Sequence, residues 1–152
     1  MRFDLSAESK GEWFKFFDSE VKESGEIVYL EPEDNAGKVC LRIADVDIVE
    51  DIQSKTRKRK SEFVLNPNDK KMERVTYYDQ TPAQEKQERE LIWDYAIQDW
   101  QGILDQDGNE IPCNLENKLR LMNIPRFARF VGRCLQIITG ANAVSEELSG
   151  KN

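Results

Sequence analysis

Asp105, Asp107 and Asn109, followed by Glu116, place oxygen donors at offsets 1, 3, 5 and 12, as a calcium-binding loop does. The rest of such a loop is missing: Gly108 stands at the fourth position rather than the sixth, and Ile111 and Pro112 interrupt the interior. A polar turn accounts better for this stretch and for its acidic neighbours Asp99 and Glu110. Cys40, Cys113 and Cys134 are odd in number, widely spaced and without a C-x-x-C pair, which predicts buried, reduced thiols. A catalytic thiol needs a cation or a base beside it, and the 152 residues include no histidine. That absence excludes His-dependent triads, imidazole acid–base chemistry and His-ligated zinc or haem. Carboxylates abound, but no spacing singles out a catalytic pair. The expectation is a non-enzyme with no catalytic residue, no cofactor and no metal.

What remains is binding chemistry. The formal charge is −7, yet Lys55-Thr56-Arg57-Lys58-Arg59-Lys60 concentrates five positive charges, leaving −12 for the rest of the chain. An acidic surface repels nucleic acid over most of its area, so general DNA or RNA binding is disfavoured. The basic stretch suits the solvated end of a helix, a local polyanion contact or an acidic partner segment. A second cationic set, Arg126, Arg129 and Arg133, repeats at helical spacing with Gln136. It is placed either to pair with the Glu-rich residues 85 to 90 or to face a partner. Trp93 and Trp100, seven residues apart, lie on the same side of the expected helix. Both core packing and interface anchoring fit them.

The elements that must carry these residues read as strands followed by helices. Glu12 to Asp18, Glu26 to Leu30 and Val39 to Ile43 are short apolar or aromatic runs between polar turns, the pattern of an antiparallel meander. Asp45 is placed to cap a helix with a narrow Ile48, Val49, Ile52 stripe, ending in the basic stretch. Glu62 to Leu65 and Arg74 to Tyr78 flank Asn66 to Lys71 as a projecting hairpin. Thr81, Pro82 and Gln84 form a capping-box start for a helix expected to run to about Gln101. Asp107-Gly108-Asn109 is a tight turn and Asn114 caps a short helix. Pro125 opens a final helix, expected to end at Thr139 with Gly140 closing it. Its apolar stripe is Phe127, Phe130, Val131, Cys134, Leu135 and Ile138. The hydrophobic fraction of 39% is enough for a modest core. The expected fold class is α+β, an N-terminal antiparallel sheet (meander plus hairpin) with a C-terminal helical region. A single domain is expected over 1–140, strand-rich over 10–80 and helical over 81–140, with a flexible tail at 141–152. No apolar run approaches bilayer length and Met1 to Leu5 lacks a signal-peptide core, so a cytoplasmic location is expected.

The run Ile92-Trp93-Asp94-Tyr95-Ala96-Ile97-Gln98-Asp99-Trp100-Gln101-Gly102-Ile103-Leu104-Asp105, with Asp107-Gly108-Asn109-Glu110-Ile111-Pro112-Cys113-Asn114-Leu115-Glu116-Asn117-Lys118 after it, resembles small proteins encoded among phage and prophage tail genes, many grouped with tail assembly chaperones. The likeness is best over Ile92 to Leu121, with a weaker echo at Gly11 to Asp18 and Arg42 to Asp45. It carries no catalytic residue. It implies a tail assembly chaperone or tail accessory protein in the bacterial host cytoplasm, coating the long helical tape-measure protein before the tail tube polymerises, and self-associating. An acidic, soluble protein suits that task, and helix-in-groove docking is the mode expected. The strand-rich first half departs from purely helical members. Two alternatives stand beside it: a structural component retained in the tail, and a small nucleic-acid-binding regulator acting through residues 55–60.

Overall fold

A computed structural model describes residues 11–150, with side chains for residues 11–140. Among these residues the chain forms seven strands and four helices, an α+β protein with antiparallel pairing throughout. The chain divides into two compact units. The first joins the chain up to Ile43 to the chain from Trp93 onward, and the second is Ala44–Ile92.

In the first unit, β1 (Glu12–Lys15), β4 (Lys38–Leu41) and β7 (Ile97–Gln101) make a three-stranded sheet in the order β1-β4-β7. Between β1 and β4 the chain makes a separate pair, β2 (Ser19–Val21) with β3 (Ile27–Tyr29). A simple meander is therefore not formed. The aromatic run expected as one strand breaks at Phe16 and Phe17, whose rings turn into the core and stack on Phe127 and Phe130. Breaking the strand lets both rings pack against the core, where an extended strand would have alternated them.

The larger correction concerns β7. The helix opened by Pro82 ends at Ala96, and Ile97 to Gln101 is extended and paired with β4. Cys40 faces Asp99 while Leu41 faces Ile97, so Gln98 is the extra residue of a β-bulge. The bulge puts both Ile97 and Trp100 into the core, three residues apart. That spacing is indistinguishable from a helical stripe in sequence. Gln98 is held in place, its Oε1 accepting from the Gly11 amide at 2.9 Å and from the Cys40 thiol at 3.6 Å.

The core is completed by helices. Asn114 caps α3 (Leu115–Met122), accepting from the Asn117 amide at 2.9 Å. Helix α4 (Pro125–Gly150) presents Phe127, Phe130, Val131 and Cys134, all buried, to Val39, Leu41, Ile97 and Trp100 of the sheet. Leu135 and Ile138 border that cluster, so the expected apolar stripe is realised. Gly140 does not end the helix. An interior glycine costs only about 1 kcal/mol against alanine, and the alanines, glutamates and leucine that follow it are good helix formers. The expected tail thus begins as helix, while residues 151–152 lie outside the described part.

In the second unit, Asp45 accepts from the Ile48 amide at 2.9 Å and caps α1 (Val46–Thr56), whose Ile52 and Thr56 are buried. The ribbon of β5 (Lys58–Leu65) and β6 (Met72–Asp79) follows, with Leu65 opposite Met72 across the expected turn. Lys70 adopts the left-handed conformation (φ 56°) and its amide donates to the Asn66 carbonyl. β5 begins four residues earlier than expected. Lys58 to Lys60 belong to a strand rather than to a helix end, because β6 supplies partners such as Asp79 and Tyr78 for them. The capping box is formed as expected: Thr81 Oγ1 accepts from the Gln84 amide and Gln84 Oε1 from the Thr81 amide, opening α2 (Pro82–Ala96). The boundary between the units falls within α2.

Candidate docking surface

The strand alternation of β5 and β6 sorts their side chains onto two faces. One face carries Lys58, Lys60, Glu62 and Val64 opposite Asp79, Tyr77, Val75 and Glu73. Here Lys60, Glu62, Glu73 and Asp79 meet partners. Lys60 Nζ lies 2.6 Å from Asp79, the Tyr77 hydroxyl donates to Glu62 at 2.8 Å, and Asn66 Nδ2 donates to Glu73 at 2.7 Å. The hydrogen bond from Lys60 holds the Asp79 carboxyl below its ordinary value and raises the ammonium above its own. The bond to Glu62 raises the Tyr77 phenol.

A pH dependence follows with a defined sign. A depressed carboxyl pKa contributes stability above the unfolded value, lost as pH falls through the folded one; a raised ammonium value contributes below the unfolded value, lost as pH rises through the folded one. The Lys60–Asp79 link is therefore complete across the neutral range and fails at both extremes. NMR titration should place the Asp79 midpoint below that of an unperturbed aspartate, and Lys60→Met should move it back up. An unchanged midpoint in the variant would contradict the pairing.

The other face carries Arg59, Ser61, Phe63 and Leu65 opposite Tyr78, Thr76, Arg74 and Met72. Phe63 is 70% exposed, Tyr78 66%, Met72 60% and Leu65 56%. Large apolar side chains grouped on one exposed surface mark interaction sites. The charges on this face are both positive. Arg74 reaches only the Ser61 hydroxyl, at 3.4 Å, and Arg59 has no ion-pair partner among the described residues. Sequence reading missed this face. Its signal was the alternation Arg59, Phe63, Leu65 and Met72, Arg74, Tyr78, hidden by starting the strand at Glu62.

The residues singled out from sequence are not gathered into one site. Lys55 pairs with Asp51 on α1 at 3.0 Å, and Arg57 turns to Glu88 at 3.0 Å. Lys58 and Lys60 take one face of the ribbon and Arg59 the other. The basic stretch is thus divided among a helix end, an internal ion pair and two opposed faces, not one cationic surface. The arginine row of α4 pairs inside the first unit, with β2, β3 and the loop before them rather than with residues 85 to 90. Arg126 lies 3.5 Å from Asp18, Arg129 Nε donates to Ser19 Oγ at 2.7 Å, and Arg133 sits 5.5 Å from the Tyr29 ring centre. Trp100 is buried in the core, with its indole donating to the Ile111 carbonyl at 2.6 Å. Trp93 is half-buried near the end of α2, and the two tryptophans do not share a helix face.

The segment of resemblance forms the end of α2, the bulged strand, a polar turn and α3. Asp105 Oδ1 accepts from the Asp107 and Asn109 amides at 2.9 and 3.0 Å, with Gly108 at φ 82°, so the calcium-like spacing builds a turn. Lys118, not singled out from sequence, is buried, and its ammonium donates to the Asp94 carboxylate and carbonyl at 2.9 and 3.0 Å. The guanidinium of Arg42 lies 3.8 Å from the Tyr95 ring centre and donates to the Tyr95 carbonyl at 2.8 Å. Burial raises all three thiols, that of Cys134 to about 12, so they stay protonated at neutral pH. Among the described residues no helix is long and apolar enough to cross a membrane. Comparison with known protein families, with curated proteins and with solved structures finds no match.

Proposed function

We propose that the chain is a phage tail assembly chaperone or tail accessory protein that binds the tape-measure protein during virion assembly, without catalysis. The observation that carries the binding role is the exposed apolar face of the β5–β6 ribbon, with its two arginines and no carboxylate from either strand. The resemblance over Ile92 to Leu121 supplies the partner. A net charge of −7 supports solubility at the many copies a long tape-measure helix requires. The proposed setting is the cytoplasm of the bacterial host.

Co-expression with the long coiled-coil product of the adjoining tail gene is expected to give a soluble complex that co-purifies. Failure to recover that complex at any salt concentration would overturn the tape-measure reading. A chaperone leaves before the particle is finished, so the protein is expected to be absent from purified virions. Its presence there would instead make it a structural component of the tail.

A further inference from the structure

We infer that the Arg59, Phe63, Leu65, Met72, Arg74, Tyr78 face of the ribbon docks an acidic amphipathic helix of a partner protein. The inference deepens the binding role proposed above and rests on it. The two faces of the ribbon share the same strands and differ sharply in how their charges are met. On the opposite face Lys60 is matched by Asp79, and Glu62 and Glu73 accept hydrogen bonds from Tyr77 and Asn66. On this face two guanidiniums stand among four large apolar side chains with no carboxylate from either strand, and Glu50 of α1 lies only at its Tyr78 end. Positive charge gathered on an apolar surface of a protein with a net charge of −7 calls for a partner that is apolar and acidic.

The spacing is specific. Arg59 and the Phe63–Arg74 row are four residues apart along β5, roughly 13 Å at the rise of a strand. Carboxylates one heptad apart on a helix lie on one side of it, about 10 Å apart, within reach of both long arginine side chains. Apolar residues between them would meet Phe63, Leu65 and Met72. Bidentate pairing of guanidinium with carboxylate would set the register.

A second copy of this chain fits poorly, because two-fold pairing of the face would oppose arginine-bearing surfaces that hold no carboxylate. A nucleic acid fits poorly as well. Bases would find stacking planes in Phe63 and Tyr78, but a polar phosphate backbone would leave the exposed apolar chains of Leu65 and Met72 uncovered, which an amphipathic helix covers.

The test uses the full chain and labelled probes: an 18-residue helical peptide with a leucine stripe and two glutamates seven residues apart, the same peptide with lysines in their place, and a 20-nucleotide oligo-dT. The glutamate peptide is expected to bind at least tenfold more tightly than the lysine peptide. Arg59→Glu with Arg74→Glu should reverse that preference, a gain that a misfolded protein would not show. Val64→Ser with Val75→Ser, on the opposite face, should leave binding unchanged. Equal affinity for both peptides, tighter binding of oligo-dT, or self-association abolished by Phe63→Ser would each overturn the inference. Capture of the glutamate peptide without capture of the tape-measure protein would overturn the tail reading alone. A tape-measure complex unaffected by the arginine reversals would overturn this docking face alone.

Discussion

Replacing Phe130 by alanine is expected to destabilise the first unit by about 3–5 kcal/mol, the range for emptying a buried aromatic site. Phe130 is fully buried and its ring meets Phe16 at 5.0 Å, Phe17 at 4.9 Å and Phe127 at 6.1 Å between centroids. These contacts join α4 to the loop between β1 and β2, so no single neighbour can move in without abandoning another. In a chain of this size the melting point should fall by about 10 °C or more. Cys134, one turn along α4 and also fully buried, offers an independent readout. With its thiol near 12 rather than 9.0, its thiolate at neutral pH is suppressed about a thousandfold. Alkylation of Cys134 should therefore be very slow in the native protein and much faster in the variant. An unchanged melting point together with unchanged alkylation would show that Phe130 is not central to the core.

Gly37→Ala should have the second largest effect, for a reason unrelated to cavities. A β-carbon at Gly37 would lie 2.6 Å from the Gly102 carbonyl oxygen and 2.9 Å from its carbon, a clash with backbone that no rotamer relieves. Gly102 is itself in the left-handed conformation (φ 70°), and the Gly37 carbonyl accepts from the Phe16 amide at 2.7 Å. The substitution must push β4 from β7 or break the hold on the aromatic loop. A loss of about 3 kcal/mol, the upper part of the range for overpacking, is expected in denaturant unfolding. Gly132→Ala is the matched control. Nothing lies within 4 Å of a β-carbon there and the residue sits in α4, so it should stabilise by about 0.5–1 kcal/mol. If both substitutions have the same sign, the close approach of Gly37 to Gly102 does not hold in solution.

Local chemistry was the most legible part of this protein. The caps at Asp45, Thr81 and Asn114, the turn at Asp105 to Asn109, and the apolar stripe of α4 are read from a few adjacent residues and occur where expected. What stayed hidden depends on pairing across the sequence. A bulge at Gln98 gives Ile97 and Trp100 a helix-like interval, and only β4 reveals it as a strand. Pairing likewise decides that Lys58 to Lys60 are strand, since Asp79 and Tyr78 lie far along the chain. The partners of the α4 arginines were not legible because Asp18, Ser19 and Tyr29, which receive them, are more than a hundred residues away. The hairpin itself was legible, but its docking face was not, because the register that sets Arg59 beside Tyr78 extends the strand back beyond Glu62.

The whole of Ala44–Ile92 lies between β4 and β7, two strands that are neighbours in one sheet, with the Arg42 amide bonded to the Ala96 carbonyl at 2.9 Å. To join those strands an unfolded chain must close a loop of about fifty residues, an entropic cost on the order of 3 kcal/mol beyond the constant of loop closure. The contacts within the second unit are far shorter in sequence, as in the hairpin that pairs Leu65 with Met72. Order of formation is thereby written into the connectivity. The inserted unit can condense first on local pairings, and the central sheet, whose middle strand waits for its second neighbour, closes last.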